Sequence, residues 1–423
     1  MTRLSAALGP VAIAMFALVI AFAGDGRAVA GAPHDSSRPA GWADDSFYLP
    51  MRDGTRLAIG VWFPDGRYGR AATFIHGENG FYSDLLKRGY AVVIVDTRGS
   101  TASFGPRDVE LSPAEVADMD ELIRYFKTRP WANGEVFATG VSYMADTADL
   151  ATASPAHLTG AVIREADFDA YLGLFDPGGV SNDLMMSLWG GDTVLRDLGR
   201  SLDPRLKLDC GARVDDCPKL WPRLQPVDAD KDFRLVREAI AGRRHWLPDD
   251  YHDVAFRDDL ARNGYSMWEL SPAAHLAGVA SERVPTQYWG SWMDAGTASA
   301  ALARFRSLPQ VPMDVWISAN SHVGDVFADP FFPGEAAPIP TFDAQWSAVT
   351  GFMAEVRAHQ TVARQIHYYV LGAKRVLTTD SWPPRGTEPA AFRFASHHLL
   401  APDSAGGADG NDNYTVDFDA TTG

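Results

Sequence analysis

The sequence predicts an α/β fold built on a mainly parallel sheet. Three observations carry this: short apolar runs at Ala71–Ile75, Ala91–Val95 and Val136–Ala138, segments of helical length between them, and the same pattern returning at Val284–Trp289 and Met313–Ser318. Continuous apolar runs of this size suit strands covered on both faces, and the strand, helix, strand order implies right-handed crossovers.

Taken in order, the first element is a hairpin. Phe47–Met51 and Leu57–Phe63 alternate in the β manner about Asp53-Gly54, a type I′ turn signal. The polar stretch after Ala71–Ile75 is long enough for a helix, and Asp96-Thr97-Arg98-Gly99 closes the next strand. Ser112-Pro113 then starts a helix to Phe126, with apolar residues at Val116, Met119, Leu122, Ile123 and Phe126. Val136–Ala138 runs directly into Gly140-Val141-Ser142-Tyr143. From about Asp167 to Val279 the strand-like runs stop, and Phe233–Ala241 and Asp253–Arg262 read as helices of an inserted cap. Beyond His367 come short strand-like pieces, His367–Leu371 and Tyr414–Phe418, broken by Trp382-Pro383-Pro384. They read as the opening strands of a β-sandwich that stops at Gly423.

The chain has 423 residues, enough for two or three domains. Its N-terminus carries Arg3, an apolar run from about Val11 to Ala23, and small residues at Ala21-Phe22-Ala23 and Ala28-Val29-Ala30. The run is shorter than the roughly 20 residues of a membrane span and reads as a cleaved export signal. The expected organisation is a signal over 1–30, a flexible leader over 31–45, a catalytic domain over 46–167 and 280–360, a helical cap over 168–279 and a β-rich domain from 361 to 423. The mature protein is expected outside the cytoplasm, secreted or periplasmic, without stable membrane association. Cys210 and Cys217, close together in a polar segment, then read as a local disulfide. The formal charge is −16, from 54 acidic and 38 basic residues, with no basic stripe, which excludes nucleic acid as a partner.

The chemistry centres on Ser142. A serine hydrolase holds its nucleophile on a sharp strand-to-helix turn, where backbone N–H groups face the developing oxyanion. Gly140-Val141-Ser142-Tyr143 stands where that turn belongs, although Met144 replaces the second glycine of G-x-S-x-G. Asp294 follows Val284–Trp289 after a short loop, and His322 follows Met313–Ser318 after another. Ser, Asp, His is the chain order of this fold, and all three fall at the C-terminal edge of the sheet, where such sheets bind ligands. His322 is then the general base, and Asp294 orients it. This chemistry requires no cofactor.

The sequence also resembles the Xaa-Pro dipeptidyl-peptidase and cocaine esterase family of serine hydrolases over roughly residues 45–423. The resemblance lies in Leu49-Pro50-Met51-Arg52-Asp53-Gly54, in Gly89 to Gly99, and in Gly140-Val141-Ser142-Tyr143. In that family G-x-S-Y is the usual form of the turn, so Met144 is no anomaly. Its G-W-x-D is similar to Gly290-Ser291-Trp292-Met293-Asp294 with one residue inserted, and its W-S-H to Asn320-Ser321-His322. The resemblance implies the same triad, with the Tyr143 N–H as one oxyanion donor. Members often add a tyrosine hydroxyl after the strand matching Ala71–Ile75. No tyrosine falls at that place here, which leaves Tyr82 from further along, or a backbone donor of the His76-Gly77 turn. The family also carries a complete C-terminal jelly roll, of which the resemblance leads one to expect only the beginning in this chain.

Other residues read as structural. Arg98 is expected to form an ion pair, and Asp249, Asp250, Asp253, Asp258 and Asp259 to face solvent on the cap, although carboxylates there would suit a substrate amine. His245 and His252 lack the further ligands that a metal needs, and His397-His398 is expected to face solvent. The leading expectation is hydrolysis of a small ester, amide or short peptide through an acyl-serine. The alternatives are an Xaa-Pro dipeptidyl-peptidase and an inactive binding protein on the same scaffold.

Overall fold

In the computed structural model the described residues are 15–22, 43–64, 81–183, 185–186, 189–191, 193, 226–244, 251, 254–395, 398–403, 413 and 415–417. Ten strands make one sheet: β1 (Met15–Phe22), β2 (Asp45–Pro50), β3 (Arg56–Trp62), β4 (Tyr90–Asp96), β5 (Ala132–Val141), β6 (Gly160–Arg164), β7 (Thr286–Ser291), β8 (Met313–Ser318), β9 (Gln365–Val370) and β10 (Arg375–Thr379). Their spatial order is β10-β9-β8-β7-β6-β5-β1-β4-β3-β2. Strands β5 to β9 are parallel. β4 runs with them, because it and β5 are both antiparallel to β1. The helices are α1 (Phe81–Lys87), α2 (Pro113–Lys127), α3 (Tyr143–Ala151), α4 (Arg234–Ala241), α5 (Met267–Leu270), α6 (Leu276–Glu282), α7 (Thr297–Ser307) and α8 (Phe342–Arg357).

The parallel core follows from composition. Every residue of β6 is buried, as are the apolar residues of β4, so both faces of these strands are covered. On one face Tyr90, Val92 and Ile94 of β4 join Phe137, Val162 and Trp289, and Leu85 and Leu86 of α1 and Val349, Phe352, Met353 and Val356 of α8 pack with them. α2 begins at its expected cap, with the Ser112 Oγ accepting from the Glu115 N–H at 3.3 Å. Arg98 holds Asp118 of α2 with two bonds of 2.7 and 2.6 Å and Asp53 of the hairpin turn with one of 2.9 Å, the structural ion pair expected of it.

Four places differ from expectation. The hairpin β2-β3 forms, but only Gly54 of its turn has positive φ (82°), whereas type I′ needs it at both central residues. Residues 254–262, expected to be helical, are not. There the Asp259 carboxylate accepts the Ala255 and Phe256 N–H groups, and Leu260 bridges to Ser266. A short acidic side chain that satisfies local backbone donors competes with the helix. β9, read as part of the β-rich tail, extends the main sheet beside β8. Finally, Met15–Phe22, inside the segment read as an export signal, is β1, seated between β4 and β5. The strand expected at Ala71–Ile75 lies outside the described residues, as do Cys210, Cys217, His76, His245, His252, Asp249, Asp250, Asp253, His397 and most of Tyr414–Phe418.

Residues from Ser381 onward form a separate unit, which contains the hairpin β11 (Phe392–Ala395) and β12 (Leu399–Pro402). His398, in its turn, is exposed as expected.

Candidate active site

β5 ends at Val141, and Ser142 turns the chain into α3 with φ 60° and ψ −134°, outside the regions an L-residue prefers. The turn is held from both sides: the Ser142 N–H donates to the Arg164 carbonyl at 3.0 Å, and its carbonyl accepts from the Ala145 and Asp146 N–H groups at 2.7 and 3.0 Å. Gly140 makes the turn possible, because a Cβ there would stand 2.4 Å from the Met144 Cβ. Met144 can occupy its place because Gly140 has no side chain. Tyr143 is the first residue of α3, so its N–H has no acceptor within the helix and is available to a ligand oxygen.

The parallel strands β7 and β8 deliver the two other expected residues to the same edge of the sheet. The His322 Nδ1 lies 2.9 Å from Asp294 Oδ2. The Asp294 loop is pinned by Thr297, whose N–H donates to the Asp294 carbonyl at 3.2 Å and whose hydroxyl donates to Glu165 at 3.1 Å. The loop after His322 is pinned by the buried Arg164, which donates to Gln345 at 2.9 Å, while Gln345 donates to the Gly324 carbonyl at 2.8 Å. Burial pushes the His322 imidazolium down, but the hydrogen bond to Asp294 and the charges of Asp294, Glu165 and Asp167 raise its pKa overall.

Ser142 opens on a cavity that reaches solvent. Most of its wall is apolar, from Leu111, Ala170, Leu174, Phe175, Trp189, Tyr251, Met267 and Leu270. Glu110, Asp146 and Asp167 are the acids in that wall. Glu110 is paired, with Arg107 and with the Trp189 Nε1 at 2.8 Å. Asp146 and Asp167 face each other instead: the Asp167 N–H donates to Asp146 Oδ1 at 2.8 Å, and among the described residues neither carboxylate has an ion-pair partner. Burial, and then the other carboxylates, push the Asp146 carboxyl well up and that of Asp167 up to about 7. Glu165, behind them, is pushed up to about 8 by burial and by Asp294.

Among the expected residues, then, Ser142 and Tyr143 line one cavity, and Asp294 and His322 are hydrogen-bonded to each other. Tyr82 is 2% exposed in the core cluster that contains Phe137 and Met144, and it is not among the residues lining the cavity beside Ser142. It belongs to α1, and its ring fills apolar space that the sequence does not locate. Sequence reasoning missed Asp146, Glu165 and Asp167. The available signal was Arg164-Glu165-Ala166-Asp167, a charged cluster placed directly at the end of a fully buried strand.

Sheet order and the strained serine turn make this an α/β-hydrolase fold. A sequence model of the X-Pro dipeptidyl-peptidase (S15) family matches residues 46–324, and the chain belongs to that family of hydrolases. It is 28% identical, over 91% of its own length and 68% of the relative's, to a protein of Mycobacterium bovis designated a serine esterase. It is also 33% identical to the cocaine esterase of a Rhodococcus strain, over 23% of this chain and 19% of that enzyme. Among solved structures, an aminopeptidase from a Thaumarchaeota archaeon superposes with a TM-score of 0.55 at 16% identity, over 87% of this chain and 64% of that one. A CocE/NonD family hydrolase from Staphylococcus aureus gives 0.52 at 15% identity, over 84% and 59%. Both likenesses are of fold.

Proposed function

We propose that the protein hydrolyses a small carboxylic ester through an acyl-serine intermediate. Ser142 Oγ attacks the carbonyl carbon, and His322 Nε2 takes its proton. The Tyr143 N–H bonds the oxygen that becomes negative, and His322 returns the proton to the leaving oxygen as the carbonyl re-forms. Water then repeats the sequence on the acyl-serine and frees the acid. The observation that carries this reading is the 2.9 Å bond between His322 and Asp294. It orients the imidazole and raises its basicity at the sheet edge where the strained Ser142 meets a cavity. The relatives designated esterases support the same chemistry. Aryl esters of short acids test it: the wild type turns them over, and Ser142→Ala lowers kcat by about 10⁴-fold or more. Unchanged turnover in the variant would overturn it, and a wild type inert to all such esters would favour the inactive binding protein.

A second reading, cleavage of peptides with a free N-terminus, is favoured by Asp146 and Asp167. Asp146 is buried and Asp167 partly so, both line the cavity, and neither has a cation partner among the described residues, which suits a substrate ammonium group. Parallel assays with Xaa-Pro anilides and with the matching aryl esters separate peptidase from esterase. For location, the N-terminal charge and apolar run support export, whereas the place of β1 in the sheet supports retention of that segment. N-terminal sequencing of the mature protein decides, since export removes residues up to Ala23 or Ala30.

A further inference from the structure

A buried acid stands directly behind the turn that carries Ser142 and takes no part in the chemistry proposed above. Glu115, 2% exposed, is the third residue of α2. In an ordinary capping box its carboxylate would reach back to the N-cap N–H. Here Oε2 reaches one residue further, accepting from the Leu111 N–H at 2.8 Å, and also accepts from the Tyr143 hydroxyl at 2.8 Å. The Tyr143 ring is enclosed on its other sides: the guanidinium of the buried Arg107 is 5.7 Å from its centre, and the Trp189 ring stacks on it at 6.4 Å. Trp189 belongs to the cap and bonds Glu110, which pairs with Arg107. The side chain of the residue that follows the nucleophile is thus tied to α2 at its tip and to the cap along its face.

We infer that Glu115 is a positioning residue for the oxyanion site: by holding the Tyr143 hydroxyl it fixes where the Tyr143 N–H points. This rests on the acyl-serine reading. A backbone N–H at the first position of a helix has no intrahelical bond to fix its direction, so its aim depends on the side chain and on the turn before it. Aim matters because an oxyanion donor acts only if it meets the oxygen at hydrogen-bond distance in the transition state. A rigid tyrosine anchored at both ends provides that aim. The deep burial that pushes the Glu115 carboxyl up to about 7 is the cost of placing an acid there.

A double-mutant cycle tests the inference. Tyr143→Phe removes only the hydroxyl, and Glu115→Ala removes its partner. Each is expected to lower kcat by about 10- to 100-fold with KM within about twofold, a fraction of what the loss of a whole oxyanion donor costs. The double variant should be no slower than the slower single one, because both remove one bond. Glu115→Gln, which keeps an acceptor for the hydroxyl, should recover most of the loss. An aryl boronic acid, which mimics the tetrahedral state, should bind the variants more weakly in proportion to kcat. Fluorophosphonate titration counts folded, reactive sites in every protein. If the wild type is not labelled, the acyl-serine reading fails. If the wild type is labelled but the two single losses multiply in the double variant, or affect only thermal stability, Glu115 is a helix-capping residue and the inference is wrong.

Discussion

Two groups of buried charge in this chain behave in opposite ways. Beside α2 and α7 two buried acids meet arginines: Asp118 is bonded twice by Arg98, and Asp149 by the fully buried Arg304 at 2.7 Å. Around the cavity, Asp146 and Asp167 meet each other, and Glu165 meets Thr297 and the charge of Asp294. A buried charge without a partner is costly, and folding alone gives no reason to keep three acids together. The difference teaches where to look for function: the paired charges hold the sheet and helices in register, whereas Asp146 and Asp167 line the place where a ligand enters, with Glu165 behind them.

Removing one member from each group should separate them. The largest effect on folding is expected for Arg304→Met, which leaves Asp149 buried and alone. About 3–5 kcal/mol of stability should be lost in urea unfolding, and a loss below 1 kcal/mol would contradict the contrast. Asp167→Asn should do the reverse, leaving stability at pH 8 equal or higher because it removes a carboxylate that burial and nearby acids penalise and keeps the backbone N–H that bonds Asp146. If the pair receives an ammonium group, the same variant should raise KM for an α-amino acyl ester by about 10-fold or more and leave the desamino ester unchanged. Equal KM changes for both esters would sever the acids from amine recognition.

The smallest effect is a slope. Glu165, raised in the folded chain to about 8, binds a proton that the unfolded chain releases near its ordinary carboxyl pKa of about 4.3. Between those values the folded state holds more protons at Glu165, so its contribution to stability is greatest below about pH 4 and declines as pH rises towards 8. Glu165→Gln should flatten this decline, by at most about 1.4 kcal/mol per pH unit. An unchanged slope would mean that Glu165 is ionised in the fold.

Much of the scaffold was legible because its signals are local. The apolar runs at 91–95, 136–138 and 313–318 became β4, β5 and β8, and Ser112-Pro113 became the start of α2. Chain order alone paired Asp294 with His322. What was not legible depends on packing between distant segments. Asp146 is a helix residue like any other until Asp167, from the next strand end, is brought against it. Glu115 is an ordinary cap residue until β5 carries Tyr143 over it. Likewise β9 carries no mark of its partner, and only the register with β8 assigns it to the main sheet.

The central claim is that Ser142 is the nucleophile, activated by the His322–Asp294 pair. Labelling with a fluorophosphonate, followed by peptide mass mapping, tests it most directly. One adduct per chain on Ser142 is expected, slowed by about 10⁴-fold in Asp294→Asn through loss of the productive imidazole tautomer. Labelling of a different serine, or undiminished labelling in Asp294→Asn, would contradict it.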